Sequence, residues 1–175
     1  MSAISPTSSK SQDDLLRLWS ATREVEAFLL REAKLADAHE YQAWLALWAP
    51  QDVLYWAPVN EDDDPNRKVS LIHDDRNGLE ERVFRLGTPL AFSQRPRSKL
   101  LRTISNVELQ DYDAAKGGWV ESRFVIGEFR SERDSYWMGR QRHQLVRTAD
   151  GLRIQQKHVF LLKSNGSLYN LTFLL

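Results

Sequence analysis

Residues 101–163 read LRTISNVELQDYDAAKGGWVESRFVIGEFRSERDSYWMGRQRHQLVRTADGLRIQQKHVFLLK. From Leu101 onward apolar and polar residues tend to alternate, the period of half-buried strands. Leu101, Thr103, Ser105, Val107 and Leu109 are expected to share one face of a first long strand. Gly117-Gly118 predicts a turn into a strand from Trp119 to Arg130, and a third strand runs from about Tyr136 to Thr148. Asp150-Gly151 is a strong hairpin signal, followed by a strand over Leu152 to Lys163. Asn165-Gly166 repeats the signal and leads into a closing strand, LYNLTFLL. This half of the chain therefore reads as an antiparallel meander.

The first half has a different period. Ser11-Gln12-Asp13-Asp14 resembles a helix-capping signal. Leu15, Leu18, Thr22, Val25, Leu29, Ala33 and Ala36 then recur in steps of three and four, one face of a helix. Asp37 with Glu40 is expected to cap a second helix that carries Tyr41, Trp44, Leu45 and Trp48 inward and stops at Pro50. A short strand follows over Val53 to Val59, then the acidic run Glu61-Asp62-Asp63-Asp64. That run reads as a solvated loop, because the alternating ligands of a calcium loop are missing. A third helix is expected over Leu79 to Leu86, capped by Asp75 or Asn77. Helices first and a meander after them define an α+β fold, not a parallel doubly wound sheet. Residues 1–12 read as a flexible tail, and 13–175 as one domain.

Composition narrows the function. The 175 residues are 42% hydrophobic and 27% charged, as in ordinary soluble domains. Lys plus Arg number 24 and Asp plus Glu 24, so no bulk charge draws the chain to nucleic acid or an anionic membrane. Cysteine is absent. That excludes a disulfide framework, a thiolate nucleophile and a Cys-held iron–sulfur cluster on this chain. No apolar run reaches the length of a signal core or a membrane span. A cytoplasmic setting fits these features.

Few residues carry an obvious chemistry. There is no phosphate loop and no GxSxG. The histidines His39, His73, His143 and His158 form no pair at i+3 or i+4, so any metal site has to be assembled from distant positions. His73-Asp74-Asp75-Arg76 is the densest titratable cluster. It reads either as an acid–base pair or, preferably, as a loop in which Asp75 caps a helix and Arg76 pairs with an acid. The segment YWMGRQRHQLVR places Arg140, Arg142 and Gln144 on one strand face and Trp137, Gln141, His143 and Leu145 on the other. Such a face lines a polar pocket or meets another subunit. Arg and aromatic residues are enriched at interfaces, which favours the subunit contact.

These motifs, in this order, resemble the small (β) subunits of aromatic-ring-hydroxylating dioxygenases over nearly the whole chain from Asp13. The likeness rests on AWLALWAPQDVLYWAPV, the DDDP loop, SLIHDDRNGLEERVFRL, SKLLRTISNVEL and NLTFLL. LYWAPV with DDDP and GLEERVFRL lean toward the benzoate and toluate branch. The resemblance implies a cystatin-like cone, as in scytalone dehydratase and nuclear transport factor, with helices packed on a long curved antiparallel sheet. It implies a homotrimer within a hexamer of three large (α) and three small subunits. The Rieske [2Fe-2S] cluster and the mononuclear Fe(II) would lie on the α subunit, with no cofactor, metal or catalytic residue on this chain. Trp137, Arg140, Arg142 and Arg102 are the expected interface residues. Family members often carry Arg and His just before the Ser-Asn-Val segment, where Leu101 and Arg102 stand here. The alternative is a stand-alone dehydratase or isomerase on the same fold, using His73, Asp75, Tyr55 and His143 as acid–base groups.

Overall fold

The computed structural model describes residues 11–65, 67–88, 96–162 and 172–175. Its first helix, α1 (Gln12–Asp37), opens on a reciprocal cap. Ser11 Oγ accepts from the Asp14 backbone N–H at 3.2 Å, and the Asp14 carboxylate accepts from the Ser11 N–H at 3.2 Å. Two of the helix's orphan donors are met this way. Ala21, Val25, Leu29, Ala33 and Ala36 are buried. Leu15 and Leu18, expected on the same face, are 52% and 42% exposed. The periodicity is correct, but no described element covers the first two turns.

The second helix, α2 (Tyr41–Leu45), is one short turn and a half. Asp37 does not cap it. Its carboxylate accepts from the Arg102 backbone N–H at 2.8 Å and from the Arg102 guanidinium. Tyr41, Trp44, Leu45 and Trp48 all point into the core as expected. Trp44, Trp48 and Tyr55 meet edge to face or tilted, with centroids 5.4–5.8 Å apart.

Two short strands follow, β1 (Leu54–Pro58) and β2 (Ser70–Asp74). The second was not expected from the sequence, since five residues carry too few alternations to stand out. Helix α3 (Arg76–Gly87) begins before the expected Leu79, on the first of the two expected caps, with Asp75 Oδ1 accepting from the Gly78 N–H at 2.9 Å. Arg76 pairs with Glu80 at 2.7 Å.

The meander comprises β3 (Lys99–Asp113), β4 (Gly117–Arg130), β5 (Arg133–Thr148) and β6 (Gly151–Leu161). The six strands form one sheet in the order β2-β1-β6-β5-β4-β3. It is mixed rather than wholly antiparallel, because β1 joins β6 in parallel. Gly117 turns the chain at φ +98°, and a Cβ there would lie 2.1 Å from the Leu145 carbonyl oxygen. Only glycine fits. The Asn165-Gly166 turn and most of the closing segment lie outside the described residues. Residues 172–175 are buried and form no strand.

One expectation about β3 fails for a clear reason. Ser105 stands opposite Arg123 and Glu108 opposite Glu121, so β3 has one extra residue there. Asn106 absorbs the bulge at φ +50°. An inserted residue reverses the parity of everything beyond it. Leu101, Thr103 and Ser105 therefore face away from the helices, while Val107 and Leu109 pack against the core.

Candidate functional site

Register decides what stands beside what. Reading straight across the sheet on its helix-facing side, Val120 pairs with His143, His143 with Lys157, Lys157 with Tyr55, and Tyr55 with Asp74. One rung thus carries four polar side chains from four strands. Tyr55 and His143 are fully buried, and Lys157 is 2% exposed.

Glu32 of α1 points down onto this rung from the helix layer and is 2% exposed. Its Oε1 accepts from Lys157 Nζ at 2.6 Å and from Trp44 Nε1 at 2.9 Å. Its Oε2 lies 3.6 Å from His143 Nε2. Burial opposes ionisation of Glu32, but the Lys157 ammonium and His143 outweigh it and hold the carboxyl well below the usual range. Burial lowers both Lys157 and His143, against the pull of Glu32. Burial also pushes the Tyr55 phenol up, so it stays a neutral donor.

Asp74 takes the Arg82 guanidinium, with Nη2 donating to Oδ1 at 3.2 Å, and further contacts of this centre go to residues 173–175. Lys157 Nζ donates to the Leu175 backbone oxygen at 2.6 Å, and Tyr55 OH donates to the same oxygen at 3.0 Å. The Leu175 N–H donates back to the Tyr55 oxygen at 2.9 Å. The Arg102 guanidinium donates to the Leu174 oxygen and pairs with Asp37. Phe173 stacks edge-on against Trp137 with centroids 5.7 Å apart.

The opposite side of the sheet is half-buried to exposed along most of its length, with Trp56 buried on it. Here the rungs run Ser105, Arg123, Arg140, Phe160 and, one step along, Glu121, Arg142, His158, Trp56, His73. Arg140 lies 4.0 Å above the Phe160 ring and Arg142 4.9 Å above that of Trp119. Glu121 takes Arg123 and Arg140 at 2.5 and 3.3 Å. Apolar Val125, Met138, Tyr136 and Leu101 extend this face and are all exposed. A groove of about 620 Å³ runs past Pro58, Glu61, Arg140 and Phe160.

The residues singled out from the sequence are distributed between these two sides. Tyr55 and His143 share the inner rung. His73 neighbours Trp56 on the outer side and is exposed. Asp75 spends its carboxylate on the α3 cap. The His73 and Tyr55 of the acid–base alternative thus lie on opposite sides of the sheet and do not converge. Arg140 and Arg142 stand on the outer face, whereas Arg102 and Trp137 are held inside the chain. Glu32 and Lys157 were missed. A signal existed for both: Glu32 interrupts the apolar face of α1, and Lys157 has the parity of Val159. Among the described residues no group of three His, Asp or Glu could hold a metal ion.

A helix layer on one side of a six-stranded mixed sheet is an α+β architecture of the cystatin-like class. An NTF2-like protein with a cystatin-like fold from Novosphingobium aromaticivorans shares it at TM-score 0.58, covering 90% of this chain and 93% of that one at 18% identity. Residues 31–165 match the family described as ring hydroxylating beta subunit, and the chain belongs to that family. The 2-halobenzoate 1,2-dioxygenase small subunit of Burkholderia cepacia is 34% identical over 152 residues, 82% of this chain and 90% of that protein. The beta subunit of the benzoate 1,2-dioxygenase from Burkholderia mallei has a crystal structure that superposes at TM-score 0.71 with 27% identity, covering 96% of this chain and all of that one. The likeness is thus to the benzoate branch, and the α+β cone expected from the sequence is the fold found.

Proposed function

We propose that this chain is the structural, non-catalytic β subunit of an aromatic-ring-hydroxylating dioxygenase in the cytoplasm. Three copies associate with three α subunits that bind the Rieske [2Fe-2S] cluster and the mononuclear Fe(II) and act on a benzoate-like aromatic acid. A Rieske centre takes two Cys and two His, and this chain has no cysteine.

The outer sheet face carries the reading. It combines exposed apolar side chains with arginines held over aromatic rings. Rigid aromatic and Arg anchors of this kind dominate protein–protein contacts. Arg140 and Arg142 are therefore the interface residues of this proposal. Arg102 and Trp137 support that surface from within, by fixing β3 and β5 on the core. The exposed Leu15, Leu16, Leu18 and Trp19 of α1 offer a second contact area.

Native mass spectrometry of the tagged chain, purified from its own host, tests this. Equal copies of this chain and a larger, Cys-rich, iron-containing chain are expected. Free monomer or dimer with no iron-bearing partner refutes the proposal.

A further inference from the structure

We propose that the first two turns of α1 dock into the outer-face groove of a second copy of this chain, so that three β subunits close into a ring by helix-in-groove contacts. This rests on the assembly reading above and divides its surfaces. The groove takes a neighbouring β subunit, and the Arg142 end of the sheet is left to the large chain.

The ridge is built from α1. Every residue from 11 to 20 is exposed, yet Leu15, Leu16, Leu18 and Trp19 stand among them. Leu15, Leu18, Trp19 and Thr22 fall at i, i+3, i+4 and i+7, one face of a helix. The reciprocal Ser11–Asp14 cap holds this end helical. A contiguous exposed apolar patch of this kind marks a contact.

The groove, of about 620 Å³, is the matching concavity. Pro58, Val125, Met138 and Phe160 supply its apolar lining. Charges match as well. Over residues 11–20 the ridge carries Asp13, Asp14 and Arg17, and the groove is lined by Arg123, Arg140 and Glu61. Two acids and one base thus meet two bases and one acid, which favours this pairing over a surface of like charge.

Geometry makes the occupant a second copy. Helix α1 packs against β3 on the helix side, whereas the groove opens on the other side, so the sheet separates the two within one chain. Ridge and groove are different surfaces, so each copy gives one ridge and receives another. Contacts of this heterologous type close into rings, whereas a self-complementary patch gives pairs.

The chain has no cysteine of its own, so engineered ones report cleanly. Leu16→Cys beside the ridge and Leu162→Cys at the groove leave Trp19 and Met138 in place, and both positions are exposed, at 58% and 74%. The complex purified from its host is treated with a short bis-maleimide and separated under denaturing conditions. The chain with both substitutions is expected to give covalent dimer and trimer of itself, at least tenfold above either single variant. Dimers from a single variant mean that like meets like and overturn the ring. Bands joining this chain to the large chain, or monomer alone from an intact complex, overturn it while leaving the assembly reading standing. If the double variant does not assemble, co-expression of the two single variants decides: a linked dimer supports the contact and its absence refutes it. Failure of the unaltered chain to bring down an iron-bearing partner removes the assembly reading, and this inference with it.

Discussion

Replacing Lys157 by Met tests the buried centre most directly. Both side chains of the Glu32–Lys157 pair are 3% exposed, and their contact is 2.6 Å. Lys157→Met keeps the volume and the apolar stem but leaves a carboxylate buried without its cation. Removing one partner of a buried pair costs about 3–5 kcal/mol. The Leu175 oxygen keeps the Tyr55 donor, so its loss adds little. For a chain of this size, about 3–5 kcal/mol lowers Tm by roughly 6–20 °C. The double variant Glu32→Gln with Lys157→Met removes both charges, and the amide oxygen introduced at position 32 still accepts from Trp44. It should fall within about 2 kcal/mol of the unaltered chain, because an isosteric neutral core often replaces a buried pair at little cost. Urea unfolding of all four chains completes the cycle. The deficit of the single variant should also shrink between pH 8 and pH 5, as Glu32 or His143 takes up a proton. A single variant within about 1 kcal/mol of the unaltered chain, or a double variant as unstable as the single, refutes the reasoning.

Other outcomes follow from the same geometry. Tyr55→Phe removes the hydroxyl that both donates to and accepts from Leu175, and urea unfolding should show a loss of about 1–3 kcal/mol. Gly117→Ala places a Cβ 2.1 Å from the Leu145 oxygen at φ +98°, so soluble yield and Tm should drop far more than for Gly87→Ala, where the space is open. Arg140→Gln with Arg142→Gln, which removes the charges without placing new carboxylates beside Glu61 and Glu121, should cost the isolated chain only about 1–2 kcal/mol yet abolish co-purification with the large subunit; retained assembly would remove these residues from the interface. Acid should destabilise the fold through His143, which is buried, and His158, which is half-buried. Burial lowers His143, and burial with the Arg142 charge lowers His158 to about 4. The unfolded chain then binds protons first as pH falls below about 6.5. Stability should be flat above that value and decline between it and about 4, with a slope below about 1.4 kcal/mol per pH unit for each histidine. His143→Gln should flatten that decline; an unchanged curve would count against a neutral buried imidazole.

Much of the fold was legible in local signals. The Ser11 and Asp75 caps, the apolar spacing of α1, the Gly117-Gly118 and Asp150-Gly151 turns and the alternation of β5 all act within a few residues, so they can be read in order along the chain. The division of Arg140 and Arg142 from Gln141 and His143 needs only the two-residue period of a strand. Only the tertiary structure settled how those faces meet. The bulge at Asn106 reverses the second half of β3, and the parallel pairing of β1 with β6 depends on partners far apart in sequence. The inner centre is the clearest case. Glu32 and Lys157 are separated by 125 positions, and each alone looks like one more surface charge. They become a single buried centre because helix packing and strand register bring them together, and the low dielectric there makes each intolerable without the other.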